Sequence, residues 1–134
     1  MALTETTIAS AGFLIDGKWE SPSRDVHNVV NPANGEVIAQ VPYATLQDVD
    51  RAVKAAHTAF LEWRDVPVVD RVQPLYKFKD LLEKHSAELA ATLSRENGKT
   101  LDDAKAEVRR GIQMVEVAVG MPSLMMGESL ENVA

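Results

Sequence analysis

Two short runs in this chain carry residue types able to do chemistry: Gly98-Lys99-Thr100 and Arg109-Arg110. A glycine, a lysine and a hydroxyl in that order can close a phosphate-binding loop, where backbone N–H groups cradle the phosphate and the lysine meets its charge. Such a loop needs another glycine five residues earlier, where Leu93 stands, and a strand before it, where a helical pattern stands. A helix boundary accounts for the run better. Asn97-Gly98 ends one helix, because glycine tolerates the left-handed conformation just past a helix end. Thr100 caps the next, with Asp103 three residues on.

The arginines belong to the helix that Thr100 opens. Arg110 lies about 180° from the apolar stripe of that helix, among Ala106, Met114 and Val117. A cation on a half-apolar face calls for an anionic partner, since a buried charge left unpaired is costly. A structural ion pair, to Asp103 or to a segment elsewhere, meets that need. So does a bound carboxylate, which the planar guanidinium fork grips through two hydrogen bonds. The pattern leaves both open. Arg109 lies off the stripe and is expected to snorkel into solvent.

Other chemistry is thin. His27, His57 and His85 are far apart and form no close ligand pair, so no metal site is assigned. Asp102-Asp103 suits the positive end of a helix dipole, Glu62 and Glu83 lie on polar faces, and Met125-Met126 reads as packing. There is no G-x-G-x-x-G, and no cysteine for a thiolate ligand or nucleophile. No residue is read as catalytic, cofactor-binding or metal-ligating.

The positioning elements follow from periodicity. Residues 1–12 read as a flexible N-terminal arm. Residues 13–42 read as hairpins: Asp16-Gly17 between apolar flanks predicts a tight turn, and residues 31–35 link strands at Val29-Val30 and residues 37–41, stopped by Pro42. Helices fill residues 46–119. The first is capped by Thr45 and Asp48 and lays Val49, Ala52, Val53, Ala56 and Phe60 on one face. After a break at residues 63–67, Asp70 and Gln73 suggest the next cap, with Pro74 in or near the first turn and Leu75, Phe78, Leu81 and Leu82 carrying the helix to His85. Ser86 is expected to cap a further helix ending at Asn97-Gly98. The last runs from Leu101 with Ala104, Val108, Ile112, Val115 and Val119 on one stripe. Beyond Gly111 it is apolar almost all round, which predicts burial on more than one side. Gly120 and Pro122 end it, and residues 120–134 form an unfinished apolar tail. The class is α+β, strands first and helices after, and the helix faces outnumber what two hairpins can cover. The chain reads as one side of a larger domain.

At 134 residues the chain has single-domain length, and 46% apolar residues suffice for a core if the fold closes. Twenty acids against fourteen bases give a net charge of -6, which offers no basic footprint for nucleic acid or anionic lipid. No apolar run approaches the ~20 residues of a membrane span, and the opening residues lack the features of a secretory signal. A cytoplasmic location is expected.

Residues 13–19 (FLIDGKW), 31–42 (NPANGEVIAQVP), 48–56 (DVDRAVKAA) and 96–99 (ENGK) resemble, in order, the N-terminal part of the aldehyde dehydrogenase superfamily. Residues 106–112 (AEVRRGI) followed by 122–127 (PSLMMG) are similar to its CoA-acylating, methylmalonate-semialdehyde dehydrogenase branch. The resemblance implies that this region is part of the α/β NAD-binding domain of that fold. It implies aldehyde oxidation with NAD through a cysteine thioester and acyl transfer to coenzyme A, giving propanoyl-CoA or acetyl-CoA. It also implies that Arg110 holds the carboxylate of a semialdehyde substrate, and that the whole enzyme is a homo-oligomer, a tetramer or a dimer. Arg109, Val69 and Pro74 depart from the family pattern. The family's cysteine, oxyanion asparagine and dinucleotide glycines are absent here, so these 134 residues alone are expected to be inactive and to bind neither NAD nor coenzyme A. Two alternatives stand beside this reading: a non-catalytic binding or assembly module, and a hydrolytic aldehyde dehydrogenase of another substrate class.

Overall fold

The computed structural model describes residues 9–21, 25–129 and 131. Among these residues five strands precede six helices: β1 (Ala9–Ser10), β2 (Phe13–Ile15), β3 (Lys18–Glu20), β4 (Val26–Val30), β5 (Val37–Pro42), α1 (Leu46–Trp63), α2 (Val68–Arg71), α3 (Gln73–Lys84), α4 (Ser86–Asn97), α5 (Leu101–Val119) and α6 (Met121–Leu124). They form two compact units, one holding the chain to Arg64 together with Leu93–Lys99, the other holding Asp65–Thr92 and the chain from Thr100 onward.

In the first unit β2 and β3 make the expected antiparallel hairpin. Its turn is Asp16-Gly17, with φ of 51° and 71°, the double left-handed geometry that matches strand twist. A separate sheet has the order β1-β5-β4. β4 pairs antiparallel with β5, while Ala9 and Ser10 pair parallel with Ala39 and Gln40. The arm expected over residues 1–12 therefore contains a paired strand, and residues 1–8 lie outside the described residues. The β4–β5 loop is built by Asn31, whose side-chain oxygen accepts from Ala33 N–H at 2.9 Å and whose carbonyl accepts from Gly35 N–H at 2.8 Å. Gly98, with φ 77°, ends α4 as expected, and a Cβ there would stand 2.7 Å from Pro32 Cγ.

Thr45 caps α1 in a reciprocal box: its hydroxyl accepts from Asp48 N–H at 3.2 Å, and its own N–H donates to Asp48 Oδ2 at 2.8 Å. Asp48 is buried and takes a further bond from Arg51 Nη2 at 3.0 Å. The Arg51 guanidinium also grips Glu20 through both its terminal nitrogens, at 2.9 and 2.7 Å, fastening α1 to the hairpin. These bonds, that to Glu20 foremost, hold the Arg51 pKa above its ordinary value. The predicted core face of α1 is less covered than expected: Val49, Val53, Ala56 and Phe60 are exposed and Ala52 is half-buried, as is Ala55, which is not among the predicted positions. Small residues meet the hairpin, and the large ones project past it.

In the second unit the buried apolar residues are Val72, Ala90, Ala104 and Ile112. Pro74 stands in the first turn of α3, where its missing N–H costs little. Two expected caps are corrected. Asp70 lies inside the short α2, and neither α2 nor α3 has a side-chain cap. Ser86 is the first residue of α4, and the preceding His85 supplies the carbonyl that Leu89 N–H reaches at 2.9 Å. The α5 stripe is buried or half-buried from Ala104 to Val119, with Leu101 exposed. Burial on more than one side is not found: Met114 and Val117 are exposed, because helix packing within this chain covers only the stripe side of α5.

Candidate functional site

The features singled out in the sequence converge on α5. Its first turn consumes the Gly98-Lys99-Thr100 run. The Lys99 carbonyl accepts from Ser94 Oγ at 2.8 Å, and the Thr100 hydroxyl accepts from Asp103 N–H at 3.2 Å while donating to Asp103 Oδ2 at 2.7 Å. The Thr100 hydroxyl thus takes one of the first-turn N–H groups that a phosphate would need. Asp103 serves this cap and makes no ion pair with Arg110 among the described residues.

Arg110 is exposed on α5 and has no hydrogen-bond or ion-pair partner among the described residues. Arg109 is also exposed, yet it does not simply point to solvent. Its Nη1 lies 3.8 Å from Glu83 Oε1 on α3. Glu83 accepts from Lys79 Nζ at 2.9 Å, and Lys79 Nζ lies 3.4 Å from Glu116 Oε1 on α5. Cations and anions therefore alternate, Arg109–Glu83–Lys79–Glu116, from one helix to the other. Bonding to Glu83, opposed by burial and reinforced by Glu116, raises the Lys79 pKa above its ordinary 10.5. Sequence reasoning left Glu83 on a polar face and did not find this ladder. The Lys79/Glu83 spacing was readable as an i,i+4 pair, but the rungs to α5 cross more than twenty residues and leave no local signal.

A groove of about 390 Å³ opens beside the ladder, lined by Glu83, Ser86, Ala87, Lys105, Val108, Arg109 and Ile112. His27 Nδ1 is 3.3 Å from the Tyr43 hydroxyl, and His85 Nδ1 is 3.1 Å from Glu88. Among the described residues no group of three or more metal-ligating side chains comes together, and no helix is long and apolar enough to cross a membrane.

The dinucleotide-binding glycine pattern G-x-G-x-x-G is not in the sequence. The pyrophosphate of a dinucleotide needs a glycine-rich turn opening a helix with free N–H groups. Here α1 and α5 open on Thr45 and Thr100, whose hydroxyls take the N–H groups of Asp48 and Asp103.

The sequence matches the model of the aldehyde dehydrogenase family over residues 19–134. The chain belongs to the aldehyde dehydrogenase family. It is 47% identical over 98% of its length to malonate-semialdehyde dehydrogenase 2 of Oceanobacillus iheyensis, covering 27% of that relative. In fold it is similar to a methylmalonate-semialdehyde dehydrogenase from Oceanimonas doudoroffii, with TM-score 0.84 and 38% identity over 95% of this chain and 26% of that one. It is also similar to a Sinorhizobium meliloti protein assigned as a methylmalonate-semialdehyde dehydrogenase and complexed with NAD, with TM-score 0.83 and 37% identity over 97% and 27% of the two chains. Hairpins followed by helices correspond to the N-terminal part of the aldehyde dehydrogenase fold. The aldehyde dehydrogenase chain described here spans about a quarter of the length of the relatives it matches.

Proposed function

We propose that the chain forms the N-terminal part of an NAD-dependent, CoA-acylating dehydrogenase of malonate or methylmalonate semialdehyde, and that Arg110 holds the substrate carboxylate. The observation that carries this reading is an exposed guanidinium with no partner among the described residues, in a chain whose relatives are malonate-semialdehyde dehydrogenases. For malonate semialdehyde, the aldehyde hydrogen leaves as hydride and the acyl carbon forms a thioester with coenzyme A. The carboxylate is lost as carbon dioxide, its bonding pair passing to the α-carbon, which takes up the proton of the CoA thiol. NAD supplies the hydride acceptor, held by parts of the enzyme other than these residues. The task of this chain is binding: Arg110 neutralises and orients the carboxylate through two parallel hydrogen bonds, which an uncharged aldehyde cannot use. The same reading makes the enzyme a cytoplasmic homo-oligomer.

Two measurements test it. The purified 134-residue chain gives no aldehyde-dependent NADH formation, and turnover by that chain alone would refute the assignment of catalysis elsewhere. In the dehydrogenase that carries this chain, Arg110→Ala lowers kcat/KM for malonate semialdehyde by about 100-fold or more, as expected for loss of a charged bidentate contact, and that for propanal by less than about threefold. Equal losses on both substrates would make Arg110 a structural residue.

A further inference from the structure

The direction in which α5 carries Arg110 depends on how α5 is set against α3. Relative to the buried Ile112, the helical wheel places Arg109 about 60° and Glu116 about 40° round on one shoulder, with Arg110 about 160° round on the same hand. The apolar stripe of Ala104, Val108 and Val115 lies on the other shoulder. An apolar stripe alone is a loose guide, since small rotations keep most of its contact. The ladder adds contacts on the opposite shoulder that a rotation of α5 would lengthen. Glu83 on α3 faces Arg109 at 3.8 Å, and Lys79, one turn earlier on α3, faces Glu116 two turns later on α5 at 3.4 Å. Glu83 and Lys79 are themselves bonded at 2.9 Å.

From this geometry, resting on the assignment of Arg110 to the substrate carboxylate, we infer that Glu83 and Glu116 are positioning residues which fix the rotation of α5 and so aim Arg110. Neither touches substrate. Glu83 has a second effect: it engages Arg109, so that one of the two adjacent guanidiniums is committed to α3 and the other faces the ligand. The magnitudes support the assignment. A group carried about 6 Å from a helix axis moves about 1 Å for a 10° rotation. A carboxylate grip has to be held to within about 0.5 Å, so a rotation that leaves the helix packed still spoils binding.

The test is a mutant cycle in the dehydrogenase carrying this chain. Glu83→Gln and, separately, Glu116→Gln raise KM for malonate semialdehyde about three- to tenfold, with kcat within about twofold and propanal kinetics unchanged. In an Arg110→Ala background neither substitution raises KM further, because the residue they aim is gone. Equal changes on both substrates, or effects that add to those of Arg110→Ala, would overturn the inference and leave the ladder purely structural. No change with either glutamine variant, while Arg110→Ala alone discriminates the substrates, would overturn it and spare the assignment of Arg110. If Arg110→Ala itself shows no discrimination, the substrate assignment fails and the inference falls with it.

Discussion

At the scale of single residues, adjacent arginines have different fates. Arg109 and Arg110 share a backbone and a charge, but a step of about 100° round the helix gives one a carboxylate on α3 and leaves the other without a partner among the described residues. The sequence could place Arg110 opposite the stripe. It could not show whether an acid waited there, because that depends on residues remote in the chain. Lys79 offers an independent check on the ladder. Its folded pKa is raised above the unfolded value of 10.5, chiefly by Glu83. A raised cation stabilises the fold fully below the unfolded pKa and loses that contribution as pH climbs through the folded one. Thermal unfolding of the dehydrogenase between about pH 9 and 12 should fall more steeply for the wild type than for Lys79→Met. Equal slopes for the two proteins would mean that the Lys79 contacts add nothing to stability.

At the scale of elements, glycine positions separate two kinds of constraint. Gly35 and Gly98 both have left-handed φ, 75° and 77°. A Cβ at Gly35 meets nothing within 4 Å, whereas one at Gly98 meets the Pro32 ring at 2.7 Å. Gly35→Ala is therefore expected to cost about 1–2 kcal/mol from backbone strain alone. Gly98→Ala costs more, and Pro32→Ala in the same molecule recovers the excess but not the strain. Urea unfolding of the single and double variants measures both parts, and equal costs at the two glycines would contradict the contact. The legible features of this fold are local in the same sense. The Asp16-Gly17 turn, the Thr45/Asp48 box, the Thr100 cap and the Gly98 stop each depend on residues within a few positions, and each is found as read. What could not be read is pairing at a distance: Ala9–Ser10 beside β5, Arg51 on Glu20, Glu83 on Arg109. The caps assigned to Asp70 and Ser86 failed for a related reason. Their residue types suit a cap, but the preceding Pro67, Val72 and His85 had already set the helix starts.

At the scale of the whole molecule, apolar exposure is the dominant fact. Met114, Val117, Leu124, Met125 and Met126 stand in the open on or just beyond α5, Met126 at 85% exposure, and no large side chain among the described residues is fully buried. Surface of that kind marks an interface or an aggregation liability. The isolated chain is expected to bind a hydrophobic dye and to elute from size exclusion as polydisperse assemblies at micromolar concentration. A monodisperse monomer with a sharp cooperative melt would show instead a self-sufficient domain. The parallel pairing of β1 with β5 adds a constraint in time. Ala9 meets Ala39, so the strand waits for about 30 further residues to leave the ribosome. At about 5–20 residues per second, that strand spends roughly 1.5–6 s without its partner. The β2–β3 hairpin and the β4–β5 pair close within short spans, so β5 can be docked on β4 before β1 arrives. A nascent chain stalled before residue 39 therefore lacks the residues with which β1 pairs.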